Sequence, residues 1–136
     1  MKYIAVIDTN VIISALLSKD SNPGKIISYI EQGVITPVYD SSILSEYIEV
    51  LEREKFPFTK AEIEEILSLF KTKGFVLNQT PTSELFKDQS DVKFYQIVLT
   101  ANKIQLSYLV TGNLKDFPKK IYVVNPTQMV DIIESN

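Results

Sequence analysis

Short unbroken apolar runs alternate along this chain with longer stretches in which apolar residues recur every three to four positions. Residues 3–7 (Tyr-Ile-Ala-Val-Ile) form the first run, as a strand buried on both faces requires. Residues 10–17 read as a helix. Asn22-Pro23-Gly24 opens a second helix, with Asn22 as N-cap and Pro23 at the first helical position. Gly33 ends it, where a left-handed residue is easily accommodated. Residues 35–39 predict the next strand. Residues 41–55 carry Ile43, Leu44, Tyr47, Ile48 and Leu51, the spacing of an apolar helical stripe. Phe56-Pro57-Phe58 breaks that pattern. Thr59 and Glu62 then make a capping box for a helix to about residue 73, which Gly74 stops. Residues 75–77 predict a short strand, 79–90 a polar loop, 91–102 a helix apolar on most sides, and 108–110 a strand. Residues 121–124 form the last strand, and Asn125-Pro126 starts the final helix.

Strands alternating with helices imply an α/β fold, with a parallel sheet covered on both faces. No repeat, linker or low-complexity tract interrupts the pattern, so residues 1–136 are expected to form one domain. A chain of this length buries roughly two thirds of its unfolded surface. Its 45% hydrophobic content sits at the globular average, which excludes a disordered chain.

The missing residue types narrow the chemistry. Without cysteine there is no disulfide, thiol nucleophile or Cys-based zinc site. Without histidine there is no Ser-His-Asp triad, His-Cys pair or two-histidine ribonuclease mechanism. Hydrolysis would have to rest on carboxylates, lysines, hydroxyls or bound metal. The N-terminal apolar run is too short for a signal peptide or membrane span, so a cytoplasmic protein with no membrane contact is expected. The four glycines match neither a P-loop nor a dinucleotide fingerprint.

In a parallel sheet, ligands bind beyond the carboxyl ends of the strands. Asp8 directly follows the first strand, and Glu46 lies early in the helix after the second. Asp91 opens the apolar helix, and Asn113 and Asp116 follow the fourth strand. Carboxylates gathered at one edge repel one another, and hard divalent cations relieve that repulsion through oxygen ligands. Two such ions about 3.5–4 Å apart can drive in-line phosphoryl displacement without histidine. Each residue has a plainer role open to it. Asp8 fits a helix cap, and Asp91 a first-turn acid favoured by the helix dipole. Asp116 fits a turn. Glu46, about 130° from the centre of its helix's apolar stripe, fits a solvated flank.

Four segments in order resemble the PIN-domain family. They are Val6-Ile7-Asp8-Thr9-Asn10-Val11, Ser42-Ile43-Leu44-Ser45-Glu46, Asp91-Val92-Lys93-Phe94, and Leu109-Val110-Thr111-Gly112-Asn113 with Lys115-Asp116-Phe117. The resemblance implies a three-layer α/β/α sandwich with a central parallel sheet of about five strands. It implies Mg²⁺- or Mn²⁺-dependent ribonuclease activity, with Asp8, Glu46, Asp91 and Asp116 as catalytic and metal-ligating acids. Asn10, Thr111 and Asn113 take supporting roles. Relatives often carry an acid where this chain has Asn113, and Asp116 is then the fourth carboxylate. The small VapC-like toxins are the most similar group, which implies an RNA substrate, a cognate antitoxin and a homodimer, with an exposed apolar face expected on residues 60–73. The opening Asp also resembles that of haloacid dehalogenase phosphatases, but their second acid, two residues later, is Asn10 here. A PIN fold kept as an RNA- or protein-binding module, without catalysis, is the other reading.

Charge does not oppose an RNA substrate. The net charge is −3, and discounting the four candidate ligands leaves +1, so bound cations would do the local neutralising. Lys115, Lys119 and Lys120 flank the fourth segment as candidate phosphate contacts.

Overall fold

The structure is a computed structural model and describes residues 2–136. The chain runs β1 (Tyr3–Ile7), α1 (Thr9–Leu17), α2 (Asn22–Glu31), β2 (Ile35–Tyr39), α3 (Ser41–Leu51), α4 (Lys60–Lys73), β3 (Phe75–Val76), α5 (Val92–Ala101), β4 (Ser107–Val110), β5 (Val123–Val124) and α6 (Pro126–Glu134), with single 3₁₀ turns at Gln89–Asp91 and Leu114–Asp116. The five strands form one parallel sheet in the order β3-β2-β1-β4-β5. This is the α/β sandwich expected of the strand–helix alternation.

β1 is the central strand, and Ile4, Ala5, Val6 and Ile7 are all fully buried. An apolar run without alternation is what a strand covered on both faces needs. α5 packs on β1, β2 and β4, while α2 and α4 pack on β2. The chain builds outward from β1 through β2 to β3. It then crosses back along α5 to β4 on the other side of β1. Right-handed crossovers place the outward helices and the returning α5 on opposite faces. The direction reverses between β1 and β4, so a crevice opens beyond their carboxyl ends.

Local boundaries differ from expectation at a few places, each for a visible reason. Ser21, not Asn22, caps α2: its hydroxyl accepts from Gly24 N–H at 3.2 Å, while the Asn22 amide donates to Thr127 Oγ1 at 2.8 Å. α3 stops at Leu51, after which the Arg53 and Phe56 amides close successive turns. β5 starts at Val123 rather than residue 121, because Val123 N–H turns back to the Lys120 carbonyl and leaves Ile121 exposed. The apolar face expected on residues 60–73 is not exposed. Ile63, Ile66 and Phe70 are buried, and Leu67 and Leu69 half-buried. The capping boxes Thr59–Glu62 and Asn125–Gln128 both form, and Gly33 takes φ +77° after α2.

Among the described residues, no helix is long and apolar enough to cross a membrane.

Candidate active site

Asp8 leaves the end of β1 in the N-cap position of α1, yet its side chain makes no capping hydrogen bond. The helix-cap role open to it is therefore not the one it takes. Its backbone N–H continues the β1–β4 ladder to the Val110 carbonyl at 2.9 Å. Its carboxylate Oδ2 accepts from Thr111 Oγ1 at 2.7 Å. The residue is only 6% exposed, which puts an acid where water solvates it poorly. Burial pushes the Asp8 carboxyl up to about 6, with the Thr111 hydrogen bond opposing the rise and the Glu46 charge adding to it.

Thr111 caps β4 in the same way and is fully buried. Its N–H donates to the Val124 carbonyl at 2.9 Å, and its hydroxyl oxygen accepts from Asn113 N–H at 3.0 Å. One side chain thus joins β1, β4 and the loop beyond. Asn10 adds a second tie across the switch point, its Oδ1 accepting from Gly112 N–H at 3.2 Å. Asn113 itself is exposed and gives its backbone, rather than its amide, to this arrangement.

Glu46 is half-buried on α3 and is not a solvated flank residue. Its Oε1 accepts from Lys93 Nζ at 2.6 Å, and its Oε2 from the buried Thr9 hydroxyl. Asp91 closes the 3₁₀ turn before α5 and likewise makes no capping bond. Its carboxyl is pushed up to about 6, by burial first and then by the charges of Asp8, Asp88, Asp116 and Glu46. That list describes the site: four candidate acids, from β1, α3, the start of α5 and the loop after β4, lie within one another's field. Asp116 ends a 3₁₀ turn, half-buried, with its N–H donating to the Asn113 carbonyl at 3.0 Å. Asp88, outside the cluster proper, accepts from Ser90 N–H and Oγ and is held below the usual carboxylate range by these bonds.

The donors are all oxygens, the set that hard divalent cations prefer. Burial, with the charge of neighbouring acids, pushes Asp8 and Asp91 up to about 6. The residues therefore fit a divalent ion in kind. In their present arrangement, no three acids among the described residues stand close enough to share one ion. Glu46 is the reason in part, since both of its oxygens are engaged by protein groups.

The chain matches the PIN-domain family over residues 4–115. It is a PIN domain. Its matched span includes Asp8, Glu46, Asp91 and Asn113, and Asp116 lies one residue beyond. PIN domains are generally nucleases and typically use divalent metals. The chain is also 30% identical to an uncharacterized protein of Methanocaldococcus jannaschii over 116 residues, covering 83% of this chain and 72% of that one.

Three side chains that sequence reasoning left without a role belong to the PIN-domain site. Thr9 and Lys93 stand inside the quoted segments and hold Glu46. Tyr47, fully buried on α3, donates its hydroxyl to the Ile7 carbonyl, next to Asp8. An apolar stripe explains Tyr47 without reference to its hydroxyl, and nothing local marks Lys93 as buried. The lysines expected at phosphates divide: Lys115 and Lys119 are exposed, but Lys120 pairs with Glu84 at 3.3 Å. A cavity of about 490 Å³ between α1, α2 and α4, lined by Ala15, Leu16, Ile27, Ile66 and Leu69, holds none of the candidate acids.

Proposed function

We propose that this PIN domain is a divalent-metal-dependent endoribonuclease that hydrolyses RNA phosphodiester bonds. The observation that carries the reading is the convergence of Asp8, Glu46, Asp91 and Asp116 at the β1/β4 switch point, with Asp8 and Asp91 both driven up by burial and mutual repulsion. Asp8, Asp91 and Asp116, which have no ion-pair partner among the described residues, would have to draw together to hold Mg²⁺ or Mn²⁺, with Glu46 beside them. The bound cation supplies Lewis-acid activation of water and stabilises charge on the phosphoryl oxygens.

The protein's own groups prepare that site. The Thr111 hydroxyl fixes one oxygen of Asp8. Asn10 holds the loop carrying Asn113 and Asp116 against the start of α1 through Gly112. No histidine or cysteine is available as a protein nucleophile or base, and water, rather than the ribose 2′-hydroxyl, is proposed as the attacking group. Products then carry 5′-phosphate and 3′-hydroxyl ends. The exposed Lys115 and Lys119, on either side of Asp116, are the candidate contacts for flanking phosphates.

The toxin role, with an RNA target, a cognate antitoxin and a homodimeric assembly, extends this proposal and rests on resemblance to the VapC-like group. Growth arrest on expression, relieved by a co-purifying small protein encoded next to this one, would support it. The binding-module reading draws on a specific observation too: Glu46 is already satisfied by Lys93 and Thr9, and no three acids share a ligating position.

Cleavage of labelled single-stranded RNA with Mg²⁺, Mn²⁺ or EDTA separates the two. Asp8→Asn is expected to reduce cleavage at least ~100-fold, since it removes the charge of the most buried ligand. Activity that survives EDTA, or products ending in 2′,3′-cyclic phosphate, would overturn the nuclease proposal. A protein that binds RNA equally well as wild type and as Asp8→Asn, and cuts nothing, is the binding module.

A further inference from the structure

Lys93 stands inside the acid cluster. Its ammonium donates to Glu46 Oε1 at 2.6 Å and to the Ser90 carbonyl, and it lies 5.1 Å from the centre of the Phe94 ring. The Lys93 and Glu46 side chains are 16% and 21% exposed. The other three ion pairs among the described residues have both partners more than a third exposed. Pairs of that open kind contribute little, whereas an ammonium drawn this far out of water keeps its place only where its contacts replace hydration. Here they do: a carboxylate, a carbonyl and a ring face.

The acids are therefore not equivalent. Glu46 is neutralised within the protein, one oxygen by Lys93 and the other by the Thr9 hydroxyl. Asp8, Asp91 and Asp116 have no ion-pair partner among the described residues. A cation arriving on the Glu46 side meets this ammonium directly, whereas one arriving beside Asp8 feels it only at longer range.

We propose that Lys93 is a built-in cation of this site, standing where a second divalent ion would otherwise be held and limiting the cluster to a single divalent ion on the Asp8–Asp91–Asp116 side. The inference rests on the metal-dependent reading above. Lys93 is a positioning residue: it acts through Glu46 and through the Ser90 carbonyl, which fixes the turn that presents Asp91. Its single fixed charge balances that of Glu46, so the site binds and releases only one ion.

The test is metal stoichiometry, read without any substrate. Metal-stripped wild type, Lys93→Met and Lys93→Arg are titrated with Mn²⁺, counting bound ions by electron paramagnetic resonance and measuring affinity by calorimetry. Thermal unfolding in EDTA checks that each variant folds, and Lys93→Gln takes the place of Lys93→Met if the latter does not. One ion is expected on wild type and on Lys93→Arg. Lys93→Met is expected to take a second ion, or to bind the first at least ~10-fold more tightly once the like charge is gone. Two ions on wild type, or a Lys93→Met isotherm identical to wild type, would overturn the role given to Lys93 and leave the nuclease reading standing. No Mn²⁺ bound by wild type at millimolar concentration would overturn the metal reading itself, and this inference with it.

Discussion

At the residue scale, the site depends on how Asp8 is held. Thr111 gives its hydroxyl hydrogen to Asp8 Oδ2 and accepts from Asn113 N–H with the same oxygen. Replacing Thr111 with Val keeps the shape and removes both bonds. The Asp8 carboxylate loses the hydrogen bond that favours its charged form, so its ability to hold a cation falls. Partners of this kind typically cost 10–100-fold in metal affinity or activity when removed. Thr111→Val is therefore expected to lose roughly that factor in Mn²⁺ affinity, measured by calorimetry, with near-native circular dichroism. Unchanged affinity would mean that Thr111 supports the fold alone. Asp8 and Asp91 are legible in the sequence only through the four ordered segments, since a strand-end acid and a first-turn acid each have a plainer role open to them. Lys93 is not. Its partner is 47 residues away, and its pattern is that of any lysine in a first helical turn. Thr9 is silent for the same reason, since a Thr after a strand signals a helix start and nothing more.

At the scale of elements, the segment between β3 and α5 matters most, because it delivers Asp91. The sequence reads residues 79–90 as a polar loop, which is correct as far as secondary structure goes. The loop is nevertheless tied down. Phe86 packs edge-on against Tyr95 and Phe117, with ring centres 5.6 and 6.0 Å apart. Glu84 accepts from the Tyr95 hydroxyl at 2.7 Å and pairs with Lys120. Thr80 N–H reaches the Gln96 carbonyl at 3.1 Å. Phe117 directly follows Asp116, so Phe86 bridges the two acid-bearing segments. Phe86→Ala is expected to cost about 1–3 kcal/mol, less than a fully buried Phe because this ring is half-buried. Amide hydrogen exchange is expected to quicken across residues 82–91 and 114–117, ahead of the sheet. Uniform acceleration over the whole chain would contradict a local clamp. Element boundaries are less legible than element types. Ser21 and Asn22 are both good capping residues, and only the contact of Asn22 with Thr127 on α6 decides between them. The late start of β5 likewise follows from a backbone turn that no side-chain pattern announces.

At the scale of the whole molecule, crowded acids make stability depend on pH in a definite sense. The Asp8 carboxyl moves from 3.8 to about 6 on folding. The folded state then binds this proton more tightly than the unfolded chain. The stability attached to it is fully present below about pH 4 and is lost as pH rises through 6. For a nearly buried group the loss is at most about 3 kcal/mol. Asp91 acts in the same direction but is more open to water and weighs less. Glu62, Glu84 and Asp88 are held below their ordinary values by hydrogen bonds, and their opposite contribution falls below about pH 4.5. Metal-free protein is thus expected to melt at a lower temperature at pH 7.5 than at pH 5. Mn²⁺ should restore the difference at pH 7.5 and do little at pH 5. A melting temperature flat across this range in EDTA would show that the acids do not burden the fold. The parallel sheet follows from strand–helix alternation alone. The order β3-β2-β1-β4-β5 does not, because β3, β4 and β5 are only two to four residues long and no pattern of side chains chooses neighbours.

The bond between Asp8 and Thr111 spans 103 residues, and β4 must lie beside β1 before it can form. Asp8 is made well before Thr111, the partner that holds its carboxylate. A nascent chain, or a product cut short before β4, carries Asp8, Glu46 and Asp91 but neither Asp116 nor the strand that completes their surroundings. Such fragments lack the assembled acid cluster, which comes together only after β4 has been made.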